Sequence, residues 1–87
     1  MKTNALFNES VNAIPQDLKY KFDLSFAISD KIANTLKEKG MSKIDLAKKM
    51  NKKPSEISKW LRGNHNFTLF TIAEISSALD TTLIKVL

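Results

Sequence analysis

Ser55, Ser58, Lys59 and Arg62 stand at positions i, i+3, i+4 and i+7. On a helix that spacing draws one continuous stripe. Short hydroxyls lie toward its start and cations toward its end. A helix that enters a groove start-first needs small hydrogen-bonding residues there, while Lys and Arg further along reach a guanine edge or a phosphate. A solvated helix face collects the same residue types, so the stripe alone decides little. Other chemistries are poorly supplied. The chain has no cysteine and a single histidine, His65, which cannot build a metal site. Its carboxylates are scattered singly, with no paired acid and base. Two glycines cannot make a phosphate-cradling loop. These observations point away from an enzyme and imply no cofactor and no metal.

Charge narrows the choice. The chain carries 14 Lys and Arg against 9 Asp and Glu, a net charge of +5 over 87 residues. Between Lys37 and Arg62 there are nine cations and only Glu38, Asp45 and Glu56 as anions. The basic surplus therefore sits in one contiguous third, and the remainder is near neutral. A lysine-rich solvated face and a polyanion-binding face both fit that distribution.

The length suits one domain, and with 43% hydrophobic residues it should fold on its own. Scarce Pro and Gly and abundant helix formers predict an all-α chain. No apolar run approaches the roughly 20 residues of a membrane span. The start Met1-Lys2-Thr3-Asn4 lacks the apolar core of a signal peptide, so a cytoplasmic location is expected. Residues 1–14 read as an N-terminal extension, with Leu6, Phe7 and Val11 suggesting a short helix over 4–13; residues 15–87 read as the domain. From Pro15 to Lys39 the line Leu18, Phe22, Phe26, Ser29, Ala33 and Leu36, widened by Ile28 and Ile32, predicts one long amphipathic helix. Cations at Lys37 and Lys39, then Gly40, mark its end.

Two short helices follow. Ser42 suits an N-cap and Asp45, three residues on, a weaker capping box. Lys43 to Met50 turns Leu46, Ala47 and Met50 inward. Asn51 suits a left-handed turn position. Pro54 opens a second helix at its favoured first position, with Ile57, Trp60 and Leu61 inward, and Gly63 closes it after Arg62. At that spacing Trp60 reads as core rather than as a stacking platform for bases. Thr68 reads as the N-cap of a last helix, with Phe67 and Ile72 as a hydrophobic staple.

In order and spacing, Gly40 to Ala47, Ile57 to Gly63, Thr68-Leu69, Ile72 to Ile75 and Ala78-Leu79 resemble the helix-turn-helix domain of the phage-repressor (Cro/Xre) type, with the motif at 42–63. The resemblance implies a five-helix repressor-like bundle with the helix Pro54 to Arg62 in the major groove of double-stranded DNA. It also implies roles, residue by residue. Lys53, Pro54, Ser55 and Lys59 fall where the family reads base edges, with Ser58 a further candidate. Ser42 and Lys43 fall where it touches phosphate. Arg62, Asn64 and His65 fall along the backbone. Three departures matter. Lys43 stands where the family often has glutamine; lysine binds phosphate but is not expected to bridge to a neighbouring side chain in the same way. Asn51 replaces a turn glycine. Pro54 has no donor, so readout is expected to rest mainly on Ser55 and Lys59.

The resemblance further implies a homodimer, because such proteins read two half-sites about one helical turn apart. Three functions fit: a transcriptional regulator, the antitoxin of a toxin–antitoxin pair with residues 1–22 as the toxin-binding surface, or a protein-interaction module without DNA binding. The apolar end, Leu83, Ile84, Val86 and Leu87, suggests packing on the long helix or on a second copy.

Overall fold

The computed structural model of the chain describes residues 14–86. Among them are four helices: α1 Gln16–Lys39, α2 Lys43–Met50, α3 Pro54–Leu61 and α4 Leu69–Leu79. The all-α expectation holds. The short helix expected over 4–13, which would make five, lies outside the described residues.

Three of the four helices end in the same way. Gly40, Asn51 and Asp80 adopt left-handed backbone, with φ of 65, 55 and 51°. Each lets the chain fold back so that the next residue's N–H reaches a carbonyl in the last turn. Met41 donates to Leu36 at 2.9 Å, Lys52 to Ala47 at 2.8 Å and Thr81 to Ser76 at 3.0 Å. These bonds satisfy carbonyls that a helix end otherwise leaves bare. Gly, Asn and Asp are the residues that tolerate this conformation at least cost. Asn51 thus does the work of the turn glycine that it replaces.

The four helices meet around one core. Ile32 of α1, Leu46 of α2, Ile57 of α3, and Ile75 and Leu79 of α4 are fully buried. α2 packs on both α3 and α4, and α1 packs on α3. Ala47 is buried among them. Trp60 is 3% exposed and belongs to this core, which excludes it as a stacking platform. Leu83 packs against the cluster, while Ile84 and Val86 stay exposed.

The long helix corrects its expected face. The buried residues of α1 are Ile28, Ser29, Ile32, Thr35 and Leu36. Phe26 and Ala33, placed inward by sequence, are exposed; Ile28 and Ile32 are central rather than flanking. Spacings of three and four admit two neighbouring lines on one helix, and the partner helices select between them. Leu18 and Phe22 are exposed too, because only the second half of α1 reaches the core.

Two hydroxyls on α1 hold α3 and the loop after it. Ser29 Oγ donates to the carbonyl of Trp60 at 2.6 Å, and Ser25 Oγ to that of His65 at 2.8 Å. Ser29, the polar member of the apolar line, therefore satisfies a carbonyl at the end of α3. Between these anchors sits Gly63, buried with φ 99°. A Cβ there would lie 2.5 Å from the Phe26 ring. At Gly40, φ 65°, a Cβ would meet nothing within 4 Å.

Gly40→Ala should therefore cost only the left-handed penalty of about 1–2 kcal/mol. Gly63→Ala should cost distinctly more, since Phe26 must also move; equal losses by thermal denaturation would show that the ring imposes nothing. Ile57→Ala should cost about 2–5 kcal/mol, the range for truncating a fully buried aliphatic side chain. A loss under half a kcal/mol would contradict its place at the centre.

Candidate nucleic-acid interface

Each element of the proposed site is fixed by local chemistry. Ser42 caps α2: its hydroxyl accepts from the Asp45 N–H at 3.0 Å, and the Asp45 carboxylate accepts from the Ser42 N–H at 2.9 Å. The full reciprocal box is present. Hydrogen bonding to the Ser42 backbone, then to its side chain, holds the Asp45 carboxyl below the usual carboxylate range; burial opposes this, and nearby Lys48 adds the smallest lowering effect. The carboxylate also sits on the positive end of α2. Pro54 opens α3 at its first turn, after Lys53 in extended backbone, and no side chain caps that start.

The two helices of the motif touch through their polar side chains. Lys43 Nζ donates to Ser58 Oγ at 3.3 Å across the turn. Lysine is expected not to bridge to a neighbour in glutamine's way; its long stem nevertheless spans the distance. The bridge differs in kind from one made by glutamine. An ammonium only donates, so the Ser58 oxygen is used as acceptor and its hydrogen remains free to donate outward.

The ten residues singled out by sequence fall into groups. Lys53, Ser55, Lys59 and His65 line one concavity, together with Lys52, Glu56, Trp60 and Thr71. Lys43 and Ser58 are joined by the bridge, with Ser42 beside Lys43. Pro54 and Arg62 are exposed at the two ends of α3. Asn64 is set apart: it lines a different groove, with Phe22 and Phe67. His65 is half-buried rather than a plain loop residue. Its ring meets Phe67 edge-on, with centroids 4.8 Å apart and planes at 81°.

Lys52 and Thr71 were not among the sequence candidates. Lys52 is visible in the charge count; its place in the concavity depends on the turn at Asn51. Lys52 Nζ lies 4.0 Å from Glu74. Thr71 is held by Thr68, which accepts from its N–H at 3.1 Å and donates to its hydroxyl at 2.9 Å. By contrast, no carboxylate among the described residues pairs with Lys43, Lys53, Lys59 or Arg62. Lys53, Lys59 and Arg62 on α3 and its flanks, Lys43 on α2, and the hydroxyls of Ser55 and Ser58 make a basic, polar surface around the motif. No helix among the described residues is long and apolar enough to cross a membrane.

Short helices crossing through a three-residue turn, with the second presenting this polar face, define a DNA-binding helix-turn-helix protein. A helix-turn-helix family model matches residues 32–86, well over half of the chain. The chain belongs to this family, of the Cro/C1 type. No curated protein and no solved structure matches it. The family is a DNA-binding one and not a family of enzymes.

The capping box has a pH signature. A carboxyl whose folded pKa is lowered stabilises the fold above its unfolded value and loses that contribution as pH falls through the folded value. The wild type should therefore melt above Asp45→Asn at neutral pH. The gap should close as pH drops below aspartate's ordinary 3.8. A gap that does not depend on pH would show that the charge of Asp45 contributes nothing.

Proposed function

We propose that this protein is a sequence-specific transcriptional regulator that lays α3 in the major groove of double-stranded DNA. The observation that carries the reading is the division of α3 into two faces. Ile57 and Trp60 are buried, which fixes the helix to the fold. Ser55, Lys59 and Arg62 are left exposed on the other side, with Ser58 half-exposed and its hydroxyl oriented by Lys43.

Roles follow from reach and chemistry. Ser55 and Lys59 read base edges, Lys59 as donor to guanine O6 and N7. Ser58, with its oxygen engaged by Lys43, presents a donor to an acceptor such as a phosphate or a purine N7. Lys53, in the same concavity as Ser55 and Lys59, joins them at base edges, while Arg62 binds backbone phosphate, as do Ser42 and Lys43 at the start of α2. Pro54 contributes only apolar contact, to a thymine methyl or a sugar. His65 lies close enough to this surface to touch phosphate at the edge of the concavity, and Asn64 is the weakest member of the set.

Fluorescence anisotropy with DNA from upstream of the protein's own gene, against a shuffled duplex over a salt series, tests the reading. Binding should favour the first duplex by at least a thousandfold and weaken steeply with salt. Lys59→Ala should cost about 1–3 kcal/mol and relax preference at one base position. Arg62→Ala, at a phosphate position with no bridge to the reading face, should weaken all sequences alike and flatten the salt dependence. Uniform loss in both variants would make Lys59 a phosphate contact; equal weak binding to both duplexes would overturn specific recognition.

A further inference from the structure

One acid stands among the reading residues. Of the anions between Lys37 and Arg62, Glu38 lies in the last turn of α1 and Asp45 is held in the capping box of α2. Glu56 has no such employment. It takes the same third position in α3 that Asp45 takes in α2, but Lys53 offers no capping side chain and no box closes. Glu56 instead lines the concavity with Lys53, Ser55 and Lys59. Lys53 and Lys59 stand three residues to either side, a spacing that can pair opposite charges on a helix. Among the described residues neither forms an ion pair with it, and Lys52, four residues back, turns to Glu74. An unpaired carboxylate is thus presented, half-exposed, on a surface otherwise basic.

We propose that Glu56 is a specificity residue: its carboxylate accepts from the N4 amino group of a cytosine beside the guanine that Lys59 reads. That role rests on the DNA-binding reading and names a base within it. An ionised carboxylate only accepts hydrogen bonds. Phosphates, guanine O6 and N7, and thymine O4 are acceptors too, so each repels it. The donors in the major groove are the amino groups of adenine and cytosine. Adenine carries its N6 amino group next to the N7 acceptor, so two carboxylate oxygens meet one donor and one lone pair. Cytosine shows its amino group alone. Three residues of helix rise about 4.5 Å, and stacked bases about 3.4 Å, so Glu56 and Lys59 reach the same or neighbouring base pairs. Lys53 and Lys59 on either side offset the repulsion between the carboxylate and the DNA backbone. A wrong base leaves the carboxylate facing an acceptor, and that penalty carries most of the discrimination.

Selection from a random DNA pool with the wild type, Glu56→Gln and Glu56→Ala, with a melting curve for each, tests the assignment. The wild type should enrich a site with one fixed cytosine, and replacing that C·G pair by T·A should weaken binding about tenfold or more. Glu56→Ala should bind the two duplexes within about twofold of each other, and should bind shuffled DNA more tightly than the wild type because a repulsion from phosphate is gone. Glu56→Gln, which keeps the shape of the side chain, should shift the preference toward adenine, whose N6 and N7 match an amide. An enriched site at which all three proteins keep the same base preferences would overturn the assignment and leave the DNA-binding reading standing. Lower melting of the variants with those preferences unchanged would make Glu56 a support for the start of α3 and nothing more. A wild type that enriches no sequence would overturn both readings.

Discussion

An eight-residue helix does not hold itself together in water, because nucleation costs more than so few hydrogen bonds return. The rest of this structure answers that constraint on α3. Ile57 and Trp60 bury one face in a core to which every helix contributes. Ser29 of α1 takes the carbonyl of Trp60 near its end. Pro54 fixes its first turn without an N–H to satisfy. What remains outside is a short polar face on a rigid mount. Such a face enters a groove without first ordering itself, so little binding energy is lost to conformational entropy.

The same constraint explains the turn. α2 and α3 are separated by three residues, and Asn51 in left-handed backbone makes that separation possible. The turn brings Lys43 within hydrogen-bonding distance of Ser58, fifteen residues away. On the proposed reading, a phosphate contact and a groove contact are thereby mechanically joined, and backbone contact and readout become parts of one rigid unit.

Where a feature depends on near neighbours in the chain, it was legible from sequence. Ser42 with Asp45, Gly40, Asn51 and Pro54 are caps and breakers whose chemistry acts within a turn, and each is where the spacing placed it. The inward faces of α2 and α3 were legible because eight-residue helices leave room for only one apolar side. The face of α1 was not. Phe26 and Ala33 fit the same periodicity as Ile28 and Ile32, and only the packing of α3 decides between them. The left-handed Asp80 was hidden among scattered carboxylates. The Lys43–Ser58 bridge and the concavity shared by Lys52, Lys59 and Thr71 are tertiary, and periodicity carries no trace of them.

The central claim is that α3 reads the major groove. Dimethyl sulfate interference, on a duplex that the protein selects from a random pool, tests it directly. Methylation at guanine N7 fills the major groove, and methylation at adenine N3 fills the minor groove. The account predicts that N7 methylation at a few guanines abolishes binding while N3 methylation at the same site is tolerated. Interference confined to adenine N3, or a pool from which no sequence is enriched, would contradict it.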